Sequence, residues 1–230
     1  MRAILFDKDG TLFDFQKSWS PWAAAVIARL SQDDTSVAHA VAEVLGFDIA
    51  EGQFLPNSFA VSSTPEEQIE RLMPIFPHLS ADDILTRMMS KMDVAVPVPV
   101  RDLTKTLDRF KARDIKMGVV TNDFEQTACT HLQHTGVRDA FDVVIGFDSG
   151  FGGKPAPDGC VAAARALGVA PAKTMMVGDS LHDLHAGRAA GMLTVGVLTG
   201  TAQRSELTPW ADVVVQDISD IADLCAQAWA

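Results

Sequence analysis

The sequence begins with RAILFDKDGT at residues 2–11, where a short apolar run ends in two carboxylates, a glycine and a threonine. Asp7 and Asp9 stand two residues apart, so an extended chain would place both side chains on one face. Carboxylates that close repel each other unless a cation holds them together. The stretch therefore predicts a first strand that ends at a cation site, most simply a metal ion.

The composition is that of an ordinary soluble globular protein, with 230 residues of which 47% are hydrophobic and 21% charged. The formal net charge of −11 argues against a nucleic-acid partner but not against a small anionic substrate, because a local site can be positive on an acidic protein. No apolar segment is long enough to span a bilayer, and the first run is too short for a signal peptide. We therefore expect a cytoplasmic protein without a membrane partner.

Further β-rich runs follow, each ending in a polar or glycine signal, and helix-like segments lie between most of them. This alternation predicts an α/β fold in which helices cover both faces of a parallel sheet. Right-handed crossovers would align the carboxyl ends of the strands along one edge, where open α/β sheets bind ligands. The runs are KMGVV (116–120), DVVIG (142–146), TMMV (174–177) and LTVGV (193–197), and the helical segments are 101–113, 123–135, 158–168 and 181–190.

The alternation is interrupted once, because no convincing strand is found between Asp14 and about Asp93. This predicts an all-helical domain over 15–93, inserted into a discontinuous core domain formed by 1–14 and 94–230. The helical patterns are WAAAVIARL (22–30), VAHAVAEVLG (37–46), TPEEQIERLMPIF (64–76) and SADDILTRMMSKM (80–92).

Four polar clusters lie at the ends of the predicted strands, so a parallel sheet would bring them to one edge. A few carboxylates together with waters suit Mg²⁺, and the absence of a Cys/His ligand cluster argues against zinc. A lysine, a threonine hydroxyl and loop N–H groups suit a phosphate. The clusters are Asp7 to Thr11, Thr121-Asn122, Lys154 within GGKPAPD, and GDSLHD with Asp179 and Asp183.

These groups together can transfer a phosphoryl group. A carboxylate beside Mg²⁺ and a bound phosphate can act as a nucleophile and form an aspartyl-phosphate. A second carboxylate two residues further on can protonate the leaving oxygen and then take a proton from the attacking water.

DKDGT, Thr121-Asn122, Lys154-Pro155 and GDSLHD, in that order, resemble the four motifs of the haloacid dehalogenase-like (HAD) superfamily. The insert after the first motif is similar to the C1 cap of that superfamily, and the match covers essentially the whole chain. The resemblance implies a Rossmann-like core and a Mg²⁺-dependent phosphatase, similar to phosphoglycolate phosphatases, that acts on a small phosphorylated metabolite.

The resemblance implies three roles within the first motif. Asp7 would be the nucleophile and a Mg²⁺ ligand. Asp9 would be the general acid/base, and its backbone carbonyl would bind the metal. Gly10 would let the backbone approach the phosphate closely.

The other motifs supply the remaining groups that the resemblance implies. Thr121 and the backbone at Asn122 would bind the phosphoryl group. Lys154 would neutralise the nucleophile and the phosphate. Asp179 would ligate Mg²⁺, and Asp183 would support the metal directly or through another ligand.

Lys8 departs from the family pattern, in which an apolar residue is more common at this position. Side-chain alternation predicts that Lys8 points away from Asp7 and Asp9 and adds only positive potential nearby. Trp19 and Trp22 are interpreted as core or hinge packing rather than substrate contacts.

Two other functions would suit the same type of site. A sugar phosphomutase of the β-phosphoglucomutase type would share the chemistry but return the phosphoryl group to a sugar. A receiver-type signalling domain also uses acidic residues, a Thr/Ser and a Lys, but it needs about half this length and carries no acid two residues after the phosphorylated Asp. Oligomeric state is left open by the sequence.

Overall fold

The computed structural model of the protein describes residues 1–56, 58–89 and 95–222. Its strands are β1 (Ala3–Phe6), β2 (Phe47–Asp48), β3 (Gln53–Phe54), β4 (Lys116–Val120), β5 (Val143–Ile145), β6 (Thr174–Gly178), β7 (Leu193–Val197) and β8 (Val213–Val215). Its α-helices are α1 (Phe15–Ser31), α2 (Thr35–Leu45), α3 (Phe59–Ser62), α4 (Pro65–Leu72), α5 (Ala81–Met88), α6 (Leu103–Lys111), α7 (Glu125–His134), α8 (Asp158–Leu167), α9 (Leu181–Ala189) and α10 (Arg204–Leu207).

Six strands form a parallel sheet in the order β5-β4-β1-β6-β7-β8. The first strand lies between two strands that come much later in the chain, with Ala3 beside both Lys116 and Thr174. The carboxyl ends of all six strands therefore meet at one edge, and the predicted α/β fold with a parallel sheet is confirmed.

Both faces of the sheet are covered, which explains the nearly continuous apolar runs. In β1, Ile4 and Phe6 belong to one hydrophobic cluster, and Ala3 and Leu5 belong to the cluster on the opposite face. Helices α6 and α7 contribute to the first cluster and α8 and α9 to the second. A strand buried on two faces needs apolar residues at every position.

The segment between β1 and β4 packs around a hydrophobic cluster of its own, drawn from α1, α2, α4, α5, β2 and β3. Two of its helices begin at the capping signals visible in the sequence: Thr64 caps α4 and Ser80 caps α5, each with a reciprocal bond from the third helical residue. The division at 93/94 lies outside the described residues, so the domain boundaries stay a prediction.

The expectation that this segment contains no strand was wrong. Phe47–Asp48 and Gln53–Phe54 form a short antiparallel pair, and the rings of Phe47 and Phe54 meet edge to face with centroids 5.2 Å apart. Two residues a strand are too few to show the alternation on which a sequence prediction depends. No helix among the described residues has both the length and the apolar character needed to cross a membrane.

We expect Phe110→Ala to lower the free energy of unfolding by about 3–5 kcal/mol, because the fully buried ring packs beside Phe6 with centroids 5.9 Å apart. Urea unfolding would show a lower midpoint at an unchanged slope. The neighbouring exposed Lys111→Ala serves as the control, with a change of less than about 0.5 kcal/mol. Equal midpoints for the two variants would contradict this assignment of the core.

Candidate active site

The motif residues lie at the carboxyl edge of the sheet because they follow its strands. The N–H of Asp7 continues the ladder by donating to the carbonyl of Val177 at 2.8 Å, and the N–H of Thr121 donates to Ile145 at 2.9 Å. Asp179 directly follows β6. The backbone hydrogen bonds of the sheet thereby fix the positions of motif residues that are far apart in the chain.

A lysine ammonium lies between two of these carboxylates. Lys154 Nζ donates to Asp7 Oδ1 and to Asp183 Oδ1, each at 2.6 Å, and to the carbonyl of Val120 at 2.8 Å. Burial opposes the charge, but the two carboxylates raise the pKa of Lys154 above its ordinary value. All three donors of the ammonium are thus engaged and its position is determined.

The carboxylates around Lys154 carry more negative charge than one ammonium neutralises. Burial raises the pKa of Asp7 to about 7, with the Asp183 and Asp9 carboxylates adding to the effect and Lys154 opposing it. Burial likewise raises the pKa of Asp179 well above its usual value. A further cation at this point would favour the ionised carboxylates.

Asp7, Asp179 and Asp183 have the arrangement of a metal site. One oxygen from each lies within 4.8 Å of the others, and all three residues are buried. Asp179 Oδ2 has no hydrogen-bond partner in the part of the chain that the structure describes. An all-oxygen donor set with an unsatisfied buried carboxylate oxygen fits a hard divalent cation such as Mg²⁺.

Two glycines make room for the Asp179 carboxylate. A Cβ on Gly10, whose φ of +83° already favours glycine, would lie 2.4 Å from Asp179 Oδ2. A Cβ on Gly200 would lie 1.7 Å from the same oxygen. Gly200 was not among the predicted site residues, although it follows β7 at the same edge of the sheet. Thr199 Oγ1 ties its loop to the carbonyl of Gly10 at 2.6 Å.

Asn122 holds the loop that carries the lysine. Its side-chain amide donates to the Lys154 carbonyl at 2.9 Å and its Oδ1 accepts from the Lys154 N–H at 2.7 Å. Thr121 is buried beside it, and its hydroxyl accepts from the N–H of Asp123 at 3.1 Å. The structure thus brings Thr121 and Asn122 together with Lys154.

The expectation that Lys8 points away from Asp9 was wrong. Its Nζ lies 2.5 Å from Asp9 Oδ2, 3.1 Å from Asp123 Oδ2 and 3.1 Å from His131 Nδ1. The alternation of side chains applies only within β1, which ends at Phe6, and residue 8 already belongs to the bend that follows.

Trp19 also contacts the Asp9 carboxylate. The sequence had suggested only a packing role for this residue. Its Nε1 donates to Asp9 Oδ1 at 2.7 Å, and its ring meets Trp22 edge to face. The position of Trp19 in the first turns of α1, just beyond the DKDGT motif, is the signal that pointed to this contact.

A cavity of about 510 Å³ extends from these polar groups to the inserted segment. Its floor carries the motif carboxylates, Thr121, Asn122 and Lys154, and its opposite wall is mostly apolar but includes Ser63 and Gln68. The described wall residues include Phe15, Trp19, Trp22, Phe54, Val61, Leu85, Met88 and Met89.

Comparison with known proteins gives consistent matches. Residues 1–191 match the family model for haloacid dehalogenase-like hydrolases. The phosphoglycolate phosphatase of Neisseria meningitidis is 32% identical over 87% of this chain and 81% of its own length. The pyrophosphatase PpaX of Oceanobacillus iheyensis is 26% identical over 100% of this chain and 99% of its own. The crystal structure of a HAD phosphatase from Thermococcus onnurineus superposes with a TM-score of 0.68 at 24% identity, covering 97% of each chain.

We expect Gly200→Ala to weaken the binding of Mg²⁺ by at least about tenfold, because the new Cβ would displace the Asp179 carboxylate. Isothermal titration calorimetry with Mg²⁺ measures the change. Gly159→Ala is the matched control, since its Cβ would come no closer than 3.4 Å to a side chain. Equal affinities for the two variants would contradict the placement of the cation at Asp179.

Proposed function

Because the chain belongs to the haloacid dehalogenase-like hydrolases, we propose that it is a Mg²⁺-dependent phosphatase that hydrolyses a small organic phosphate monoester through an aspartyl-phosphate. The observation that carries the proposal is the position of Asp7. Its Oδ1 is held at 2.6 Å by Lys154, and it shares a buried three-carboxylate group with Asp179 and Asp183.

In the first step, a carboxylate oxygen of Asp7 attacks the phosphorus of the ester. The new oxygen–phosphorus bond forms as the bond to the leaving oxygen breaks, and Asp9 gives that oxygen a proton. The Thr121 hydroxyl binds a phosphoryl oxygen, and the Lys154 ammonium, which stays bonded to Asp7, Asp183 and Val120, offsets phosphoryl charge without donating to it. A divalent cation held by Asp7, Asp179 and Asp183 would supply the remaining charge neutralisation.

In the second step, water attacks the phosphorus of the aspartyl-phosphate. Asp9, now a carboxylate, takes the proton of the water as the bond between phosphorus and Asp7 breaks. Inorganic phosphate leaves, and both aspartates return to their starting states. The apolar wall over the site limits bulk water, which favours this ordered use of a single water molecule.

The side chains that line the cavity determine which leaving groups the site can accept. Phosphoglycolate is the reference substrate because a relative bears its name. However, Lys154 is the only lysine or arginine among the described residues that line the cavity, and it is already held by two carboxylates. A glycolate carboxylate or a second phosphate would find no further lysine or arginine among the described lining residues, only polar side chains such as Ser63, Gln68 and Thr130, which offset a charge poorly. We propose that esters with uncharged, partly apolar leaving groups are the better substrates.

The phosphomutase alternative uses the same floor of the site and differs only in the acceptor of the phosphoryl group. A sugar acceptor would need several hydrogen-bonding partners opposite Asp9. The described lining includes Trp19, Trp22 and Met88, but also the polar side chains of Ser63 and Gln68. Hydrolysis stays the leading proposal because the relatives bear the names of a phosphatase and a pyrophosphatase.

The test is phosphate release from a panel of phosphoglycolate, pyrophosphate, sugar phosphates, nucleoside monophosphates and aryl phosphates. We expect release that requires Mg²⁺ and falls at least about 100-fold with a chelator, with aryl esters ahead of phosphoglycolate. Conversion between sugar phosphate isomers without phosphate release would instead favour the mutase. Negligible turnover of every compound would overturn the proposal.

We expect Asp7→Asn to lower turnover at least about 1,000-fold, because an amide cannot attack phosphorus. Circular dichroism would show a folded protein. Asp33→Asn is the control, since Asp33 is exposed and has a φ of +70°, which asparagine tolerates. A folded Asp7→Asn variant with normal turnover would remove Asp7 from the role of nucleophile.

A further inference from the structure

Lys8 is a second buried ammonium beside the site, and it contacts Asp9 rather than the three-carboxylate group. Its side chain has no solvent exposure, although it lies directly between the two motif aspartates in sequence. An ammonium removed from water costs several kcal/mol unless each of its protons finds a partner. The proposed chemistry assigns Lys8 no part.

The partners of Lys8 account for its three protons. They are Asp9 Oδ2 at 2.5 Å, Asp123 Oδ2 at 3.1 Å and His131 Nδ1 at 3.1 Å. Asp123 and His131 belong to the β4–α7 connection and to α7, which are parts of the core. The two other polar partners of Lys8 thus come from the core, while the Trp19 ring of α1 lies 5.3 Å from its Nζ.

His131 has the protonation state that this arrangement needs. Burial, with the nearby Lys8 charge, lowers the pKa of His131 to about 4. The neutral ring can therefore offer the Nδ1 lone pair to the ammonium.

The two oxygens of Asp9 have different partners. Oδ2 is paired with Lys8, whereas Oδ1 accepts the indole N–H of Trp19 at 2.7 Å. Trp19 lines the cavity from α1. An ester oxygen that approaches Asp9 from the cavity can replace the indole at Oδ1, but it cannot replace Lys8, which lies buried behind Oδ2.

We propose that Lys8 is the positioning residue for the Asp9 acid/base: it holds Oδ2 so that Oδ1 is the oxygen that exchanges the proton. The inference rests on the proposed phosphatase function. In the first step, Asp9 begins protonated on Oδ1, once the substrate has displaced the indole, and this proton moves to the leaving oxygen as its bond to phosphorus breaks. In the second step, a proton of the attacking water moves to Oδ1. Lys8 keeps its own protons throughout.

A double-mutant cycle separates positioning from a purely structural role. Wild type, Lys8→Met, Asp9→Asn and the double variant are assayed with Mg²⁺ on phenyl phosphate and 4-nitrophenyl phosphate. If Lys8 acts through Asp9, it has no effect once the Asp9 carboxylate is gone. Lys105→Met, at an exposed lysine paired with Asp102, is the control for the substitution itself.

We expect Lys8→Met to lower kcat about 10- to 100-fold and to change KM less than about threefold. The loss in kcat/KM should be larger for phenyl phosphate, because phenoxide is the poorer leaving group and depends more on the proton from Asp9. In the Asp9→Asn background, Lys8→Met should change kcat/KM less than about twofold. If Lys8→Met does not fold, Lys8→Gln takes its place in the cycle.

Three results would overturn the inference. One is an equal loss from Lys8→Met in both backgrounds, which would show that Lys8 acts on the fold. Another is normal kcat in folded Lys8→Met while Asp9→Asn is impaired, which would leave the proposed function standing. The third is a wild type that, with Mg²⁺, is inactive on both esters and on every compound of the panel, which would remove the proposed function and the inference together.

Discussion

The contact on which the site depends is the ammonium of Lys154 between Asp7 and Asp183, at 2.6 Å from each. It joins a residue that follows the first strand to a loop and a helix more than 140 positions later in the chain. Without it, two buried carboxylates would face each other uncompensated, a loss typically worth about 3–5 kcal/mol. Asn122 stabilises this contact because its side chain forms hydrogen bonds with the backbone carbonyl and the backbone N–H of Lys154.

The buried charges divide into two groups around the reaction centre. Lys154 lies between Asp7 and Asp183, in the group that we propose holds the cation. Lys8 lies with Asp9 and Asp123, in the group that we propose exchanges protons. Asp7 and Asp9 thus have different lysine partners although they are two residues apart, as their different proposed roles require.

Most of the sheet and the candidate site could be predicted because strand ends in a parallel sheet must meet. Asp7, Thr121 and Asp179 each follow a strong apolar run, so their proximity required only the topology, whereas Lys154 lies nine residues beyond β5. The three-residue strand β8 and the β2–β3 pair were too short to produce a pattern. The direction of Lys8 depended on a bend two residues past β1, and the contact of Trp19 depended on how α1 packs. Both contacts depend on the tertiary structure and cannot be predicted from a local sequence pattern.

The central position of β1 also governs the order in which this protein can fold. Ala3 has no strand partner until residues near 116 and 174 have been made, whereas the helices between β1 and β4 can associate with near neighbours. Loop closure over such separations is slow compared with local helix formation. The first strand is thus among the last elements to be placed, and Asp7 reaches Lys154 only when nearly the whole core has assembled. Catalytic competence is consequently a late event in folding, and partly folded chains lack it.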